Sequence, residues 1–190
     1  MIKKYDKILD IFLNNLIPIT KKEIIKGNKI FGAFIVKKSN LSLESVGTNQ
    51  EIKNPLFHGE ISAIFNFFQK KIDNPGDYYF ISTHQPCSMC LSAITWAGFD
   101  NFYYLFSYVN TKEDFQIPHD LMILSEVFKI KNGEYNKVNK YWQSFSILNE
   151  IQRIKNNKSL LEKIYKIKEE YKKMSEIYQQ SKNNNNIPLN

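Results

Sequence analysis

Two short stretches bring together side chains that could do chemistry: NPLFHGE at residues 54 to 60, with His58 and Glu60, and STHQPCSMC at 82 to 90, with Cys87 and Cys90. These two cysteines are the only ones in 190 residues. Taken alone, a C-x-x-C pair can be a redox dithiol, half of a metal site, or core filling. Residues two apart point to nearly opposite sides of a regular helix, so His58 and Glu60 converge only at a helix end. Cys87 and Cys90, three apart, share a face on a first helical turn, where the helix N-terminus stabilises thiolates. Pro86 suits that start because it gives up an N–H that would have been unpaired. One imidazole and two thiolates make three ligands, whereas tetrahedral zinc takes four. A structural site would close the vacancy with another Cys or His, and the remaining histidines are His84 and His119. An open position holding water is the catalytic arrangement, in which the metal lowers the pKa of that water toward ~7. Glu60, beside the metal, could then pass a proton to a leaving group. A thioredoxin-like dithiol would leave the H-G-E box without a role.

Regular elements must hold these residues in place. Residues 3 to 17 put Ile8, Leu9, Phe12, Leu13 and Leu16 at helical spacing, and Pro18 is expected to stop that helix. FGAFIVKK and LSLESVGT flank Ser39-Asn40, which reads as a strand hairpin. From Glu60 the pattern is helical, with Ile61, Ile64, Phe65 and Phe68 on one face before Asp73-Asn74-Pro75-Gly76 ends it. DYYFIST and NFYYLF read as strands, LSAITWAGF and HDLMILSEVF as helices. This alternation is α/β, with helices covering a central sheet, and it puts His58 and Cys87 each at the beginning of a helix.

The order H-x-E…P-C-x-x-C resembles the signature of zinc nucleobase deaminases. The chain resembles the cytidine and deoxycytidylate deaminase superfamily from about Phe31 to Phe128, and its motifs are nearest the branch with guanine deaminases and tRNA adenosine deaminases. FGAFIV is similar to the family's strand beside the substrate, Asn49 in VGTN to its substrate-binding Asn, NPLFHGE to its N/D-P-x-x-H-A-E box, and QPCSMCLSAITWAGF to its P-C-x-M-C helix. The resemblance implies a three-layer α/β/α sandwich around a mixed sheet. It also implies Zn2+ on His58, Cys87 and Cys90, Glu60 as proton shuttle, and a homo-oligomer. Gly59 stands where the family has Ala, and its backbone N–H is expected to face substrate. Phe31 and Trp96 are read either as stacking walls for a base or as core aromatics. His84, Asp114 and His119 receive no role.

The formal charge is +7, but residues 151 to 182 hold nine basic and four acidic side chains, which leaves +2 on the rest. The basic signal therefore belongs to a C-terminal extension and not to the catalytic region. Within it Leu160, Ile164, Ile167, Tyr171, Met174 and Tyr178 repeat every three or four residues, and Ser159 with Glu162 forms an S-x-x-E capping box. A deaminase domain at 1–150, a basic amphipathic helix at 151–182 and a disordered tail at 183–190 are expected. The extension's stripe is expected to dock on its own domain or on a sister subunit. The apolar run near residue 1 is broken by Asp10, Asn14 and Asn15, unlike a signal peptide, and no stretch approaches the ~20 residues of a membrane span. A cytoplasmic enzyme deaminating a small base, nucleoside or nucleotide is the leading expectation. A tRNA adenosine deaminase is the alternative, and a non-catalytic zinc-containing binding module is a third.

Overall fold

The hairpin around Ser39-Asn40 forms as expected, in a computed structural model that describes residues 1–70 and 74–190. Its strands, β1 (Gly32–Lys37) and β2 (Leu43–Thr48), pair antiparallel with a bulge between Ile35 and Val36. β3 (Tyr78–His84) runs antiparallel to β1, while β4 (Asn101–Phe106) and β5 (Gln143–Ser146) continue from it in parallel. The five-stranded order is β2-β1-β3-β4-β5. The strands alternate faces with period two. Phe34, Val36, Ile81 and Leu105 join one apolar cluster, and Ala33, Ile35, Phe80, Phe102 and Tyr104 join the other.

Helices cover both faces. Against the first lie α1 (Ile2–Ile11), α2 (Ile17–Ile24), α7 (Ile147–Gln152) and α8 (Lys158–Ser181); against the second lie α3 (Gly59–Phe68) and α4 (Ser88–Trp96). Two short helices, α5 (Tyr108–Glu113) and α6 (His119–Glu126), follow β4. The layers are therefore α/β/α around a mixed sheet, with an additional C-terminal helix, as expected.

Several local expectations are corrected. Pro18 does not stop the first helix: the chain widens into a π turn over Phe12–Leu16 and continues as α2, with Pro18 in that helix's first turn. A proline there lacks only an N–H that the widened turn leaves free. On α3 the core face is Gly59, Ser62, Ala63 and Phe67, whereas Phe65 and Phe68 point outward. Small residues face the sheet because the backbones meet closely; a Cβ on Gly47 of β2 would lie 2.7 Å from the carbonyl carbon of Ser62. α3 ends at Phe68, and Asp73, read as part of its stop signal, lies outside the described residues. The Ser159–Glu162 capping box does not form, since α8 begins earlier, after Asn157.

The stripe on α8 is buried along its length, from Leu160 to Tyr178. It packs against α1 and α2, and Lys163 Nζ lies 2.6 Å from both Asp6 and Asp10. Beyond α8 the chain turns back: Asn185 Nδ2 donates to the Gly27 carbonyl at 3.0 Å, Tyr178 donates from its hydroxyl to Asn190 Oδ1 at 2.9 Å, and Ile187 is buried. Among the described residues no helix is long and apolar enough to cross a membrane.

Candidate metal centre

His58 is the N-cap of α3, with extended backbone, and Cys87 is the N-cap of α4, also extended. Both helix starts sit at the end of the sheet where β3 terminates. His58 Nδ1 lies 3.6 Å from Cys87 Sγ and 3.7 Å from Cys90 Sγ. Metal bonds of about 2.0 Å to nitrogen and 2.3 Å to sulfur, at a tetrahedral angle, put N and S about 3.5 Å apart, close to both distances. The three side chains thus fit a zinc ion between them, with ligand atoms all within 4.8 Å of one another. The donor set, one imidazole and two thiols, is the soft nitrogen–sulfur set zinc takes.

The electrostatics divide the two thiols. The Cys90 thiol, opposed by burial but joined by His58, holds Cys87 well below the usual thiol range. Burial and the neighbouring Cys87 and Glu60 push Cys90 well up. Glu60 is 4% exposed; its Oε1 accepts from Ser82 Oγ at 2.7 Å and its Oε2 lies 3.4 Å from Cys90 Sγ. Burial first, then the charge of Cys87, raise its carboxyl above the ordinary range, against the pull of Ser82 and His58. A carboxyl poised nearer neutrality can both accept and release a proton.

In front of these groups opens a cavity of ≈ 240 Å³. His58 and Cys87 line it together with Ser88, Met89, Phe31, Ile117 and Ile123. Ile187, Pro188 and Leu189 of the returning C-terminal segment complete it.

The other residues singled out by sequence fall in different places. Asn49 is fully buried: its Oδ1 accepts the Gly59 N–H at 2.6 Å and its Nδ2 donates to Glu51 Oε2 at 2.8 Å. The Gly59 amide is therefore engaged by Asn49. Phe31 reaches the cavity and packs edge-on against His84 with centroids 4.7 Å apart. Trp96 does not: it ends α4 at 91% exposure, away from the cavity lining. Asp114 is exposed and accepts from Asn110 Nδ2. His84 is enclosed by Phe31, Phe106, Phe115 and Tyr171; its Nδ1 meets Thr83 Oγ1 at 2.8 Å and its Nε2 has no partner. Gln85 braces the Pro86-Cys87 turn, accepting from the Tyr108 amide at 3.3 Å and donating to the Tyr135 hydroxyl at 3.1 Å.

Sequence reasoning missed three cavity residues. Asp120, in the first turn of α6, lines the cavity beside His119, and burial followed by the Cys87 charge pushes its carboxyl well above the ordinary range. Lys29 and Glu51 lie on the wall beside His58. For Glu51 the available signal was its place two residues after Asn49.

A family model described as the cytidine and deoxycytidylate deaminase zinc-binding region matches residues 10–106. No curated protein sequence matches the chain. Among solved structures, guanine deaminase from Bacillus subtilis aligns at 24% identity and TM-score 0.51, covering 68% of this chain and 85% of that one. A mutant of the protein NE0047 in complex with 8-azaguanine aligns at 15% identity and TM-score 0.55, covering 87% and 84%. These two share the fold. A structure from studies of A-to-I editing by tRNA:A34 deaminases aligns at 18% identity and TM-score 0.48, covering 71% and 95%.

Proposed function

Because the chain belongs to the cytidine and deoxycytidylate deaminase family, whose zinc-binding region it matches over just more than half its length, we propose that it is a zinc-dependent hydrolytic deaminase of a free nucleobase. Three ligand atoms at tetrahedral spacing, with Glu60 buried beside them and a cavity in front, support this most directly. What a bound Zn2+ supplies at such a site is Lewis acidity toward water. Glu60, held through Oε1 by Ser82 and with Oε2 beside Cys90 Sγ, would take a proton and hand it to the departing amino group, so that ammonia leaves. Asn49 holds the Gly59 amide and with it the start of the helix that carries Glu60.

The size and closure of the cavity support a free base as the substrate. At ≈ 240 Å³ it is smaller than the ~300–1,000 Å³ typical of drug-sized ligand pockets, which suits one heterocycle. The returning segment at 187–189 also lines the cavity, and this added enclosure favours a small ligand over a folded RNA. Phe31 offers an aromatic wall, and Asp120, with its raised pKa, can exchange a proton with a ring nitrogen or amino group across the cavity. An amino-substituted purine of guanine type satisfies both. A homo-oligomer, to be read from the mass in solution, is part of the same proposal.

Ammonia release from a panel of free bases, nucleosides, nucleotides and tRNA, on protein of measured zinc content, tests this. Release from free bases is expected. Release confined to nucleosides, nucleotides or tRNA would overturn the substrate class. Glu60→Ala should keep zinc and lose turnover, and a variant that still deaminates at the parent rate would remove Glu60 from the mechanism.

A further inference from the structure

Beside His58 the cavity wall carries an ion pair that deamination as described leaves unused. Lys29, from the segment before β1, and Glu51, just after β2, are 5% and 4% exposed, with Nζ 2.7 Å from Oε1. Burying two charges is costly, and apolar residues of similar volume often stabilise a fold as well or better. The pair's surroundings suggest what else it does. Glu51 Oε2 accepts from Asn49 Nδ2, and Asn49 in turn holds the Gly59 amide. Glu51 Oε1, besides meeting Lys29, faces His58 Nε2 at 3.7 Å. The other nitrogen of that imidazole, Nδ1, is the one directed at the two sulfurs.

We infer that Glu51 is a positioning residue for the metal centre: its carboxylate faces His58 Nε2–H at 3.7 Å and so favours the tautomer and ring orientation that turn the Nδ1 lone pair toward the thiols. Lys29, with Nζ 2.7 Å from Oε1, is the counter-ion that holds Glu51 in register. A carboxylate behind a ligating imidazole fixes its tautomer and raises its basicity. Two thiolates already balance a divalent ion, so an unneutralised Glu51 would leave excess negative charge in a buried site; Lys29 cancels it. The same carboxylate, through Asn49, ties the histidine to the helix start that delivers Glu60. One group thereby sets the metal ligand and the proton shuttle in a common frame. This rests on zinc binding at His58, Cys87 and Cys90.

The test uses Glu51→Gln, Lys29→Met and the double variant, with zinc affinity measured by chelator competition, the absorption spectrum of the Co2+-substituted protein, and the melting temperature. Glu51→Gln should weaken zinc binding about 10- to 100-fold. It also strands a buried lysine, so its melting temperature should fall. The double variant removes both charges and should regain the melting temperature, yet keep the weakened affinity and the altered cobalt spectrum. A double variant that binds zinc as tightly as the parent, with the parent's cobalt spectrum, would show that Glu51 serves stability alone and would overturn the assignment. Cys87→Ser separates the underlying premise: if it binds zinc like the parent, the metal is held elsewhere and both assignments fall. Loss of zinc in Cys87→Ser with parental affinity in the double variant overturns only the role of Glu51.

Discussion

Replacing Gly59 by alanine should damage this protein. Gly59 opens α3 against β1, and a Cβ there would lie 2.8 Å from the nitrogen and 2.9 Å from the carbonyl carbon of Gly32, nearer still to its Cα. Ordinary contacts between such atoms are about 3.5–4.0 Å, and the nearest contact, to Cα, sets the scale, so the helix start or the strand must move by roughly 1–1.5 Å. Both partners are backbone, so rotamer adjustment cannot relieve the clash. Overpacking of this kind costs about 1–3 kcal/mol, and alanine's better helix propensity recovers at most ~1 kcal/mol of it. The displaced residues are the flanking His58 and Glu60, and a misplacement of about 1 Å at reacting groups can cost ~100-fold in rate. Gly59→Ala should therefore melt several degrees lower and lose about 10- to 100-fold in kcat at saturating zinc. Thermal denaturation and steady-state ammonia release measure the two effects. A variant with parental melting temperature and kcat would refute the close-contact reasoning outright.

Three further outcomes follow from groups around the cavity. His84 is held neutral by burial, its pKa well below the usual value, so its contribution to stability is complete above the unfolded pKa of about 6.5 and is lost as pH falls below it. The slope from this group approaches ~1.4 kcal/mol per pH unit, and His84→Phe should flatten the fall in melting temperature between pH 7 and pH 5; an unchanged pH dependence would count against it. Asp120→Asn keeps the side chain's size but removes its proton exchange, and should lower kcat/KM about 100-fold or more with zinc content intact; parental kinetics would take Asp120 out of catalysis. Ile187→Ser with Leu189→Ser removes apolar cover from the cavity, and loss of roughly 1.5 kcal/mol or more of burial should raise KM for the free base about tenfold; an unchanged KM would mean that the segment does not touch substrate.

The cluster of His58, Cys87 and Cys90 that could hold a metal was legible because the information was local. His58 and Cys87 each sit just before a helical pattern, and the spacing of Cys90 from Cys87 puts both sulfurs on one turn whatever the remainder of the chain does. Glu60 was legible for the same reason. Asp120 and Lys29 reach the cavity from segments that only tertiary folding brings together, and their one-dimensional surroundings are ordinary; Glu51 was marked only by its place two residues after Asn49. The outward turn of Phe65 and Phe68 shows a different failure. Hydrophobicity marked them for the core, but the closeness of β2 to α3 admits only Gly, Ser and Ala there, so bulk decided the facing and not polarity. Trp96 likewise had the right residue type at a helix end that points away from the site. The four-residue β5 and the six-residue α7 were too short to leave a periodic trace.

The pairing of Lys163 with Asp6 and Asp10 bridges 157 and 153 positions along the chain, and the burial of α1 depends on the helix that carries Lys163. Contacts this far apart are entropically expensive to close and slow the search for the native topology. Tyr5, Ile8 and Phe12 share one buried cluster with the α8 stripe, so part of their cover comes only when α8 docks. Nascent chains should accordingly draw on chaperones for longer than a protein whose early helices pack on their neighbours, because the helix that begins at residue 2 must wait for the one that begins at residue 158.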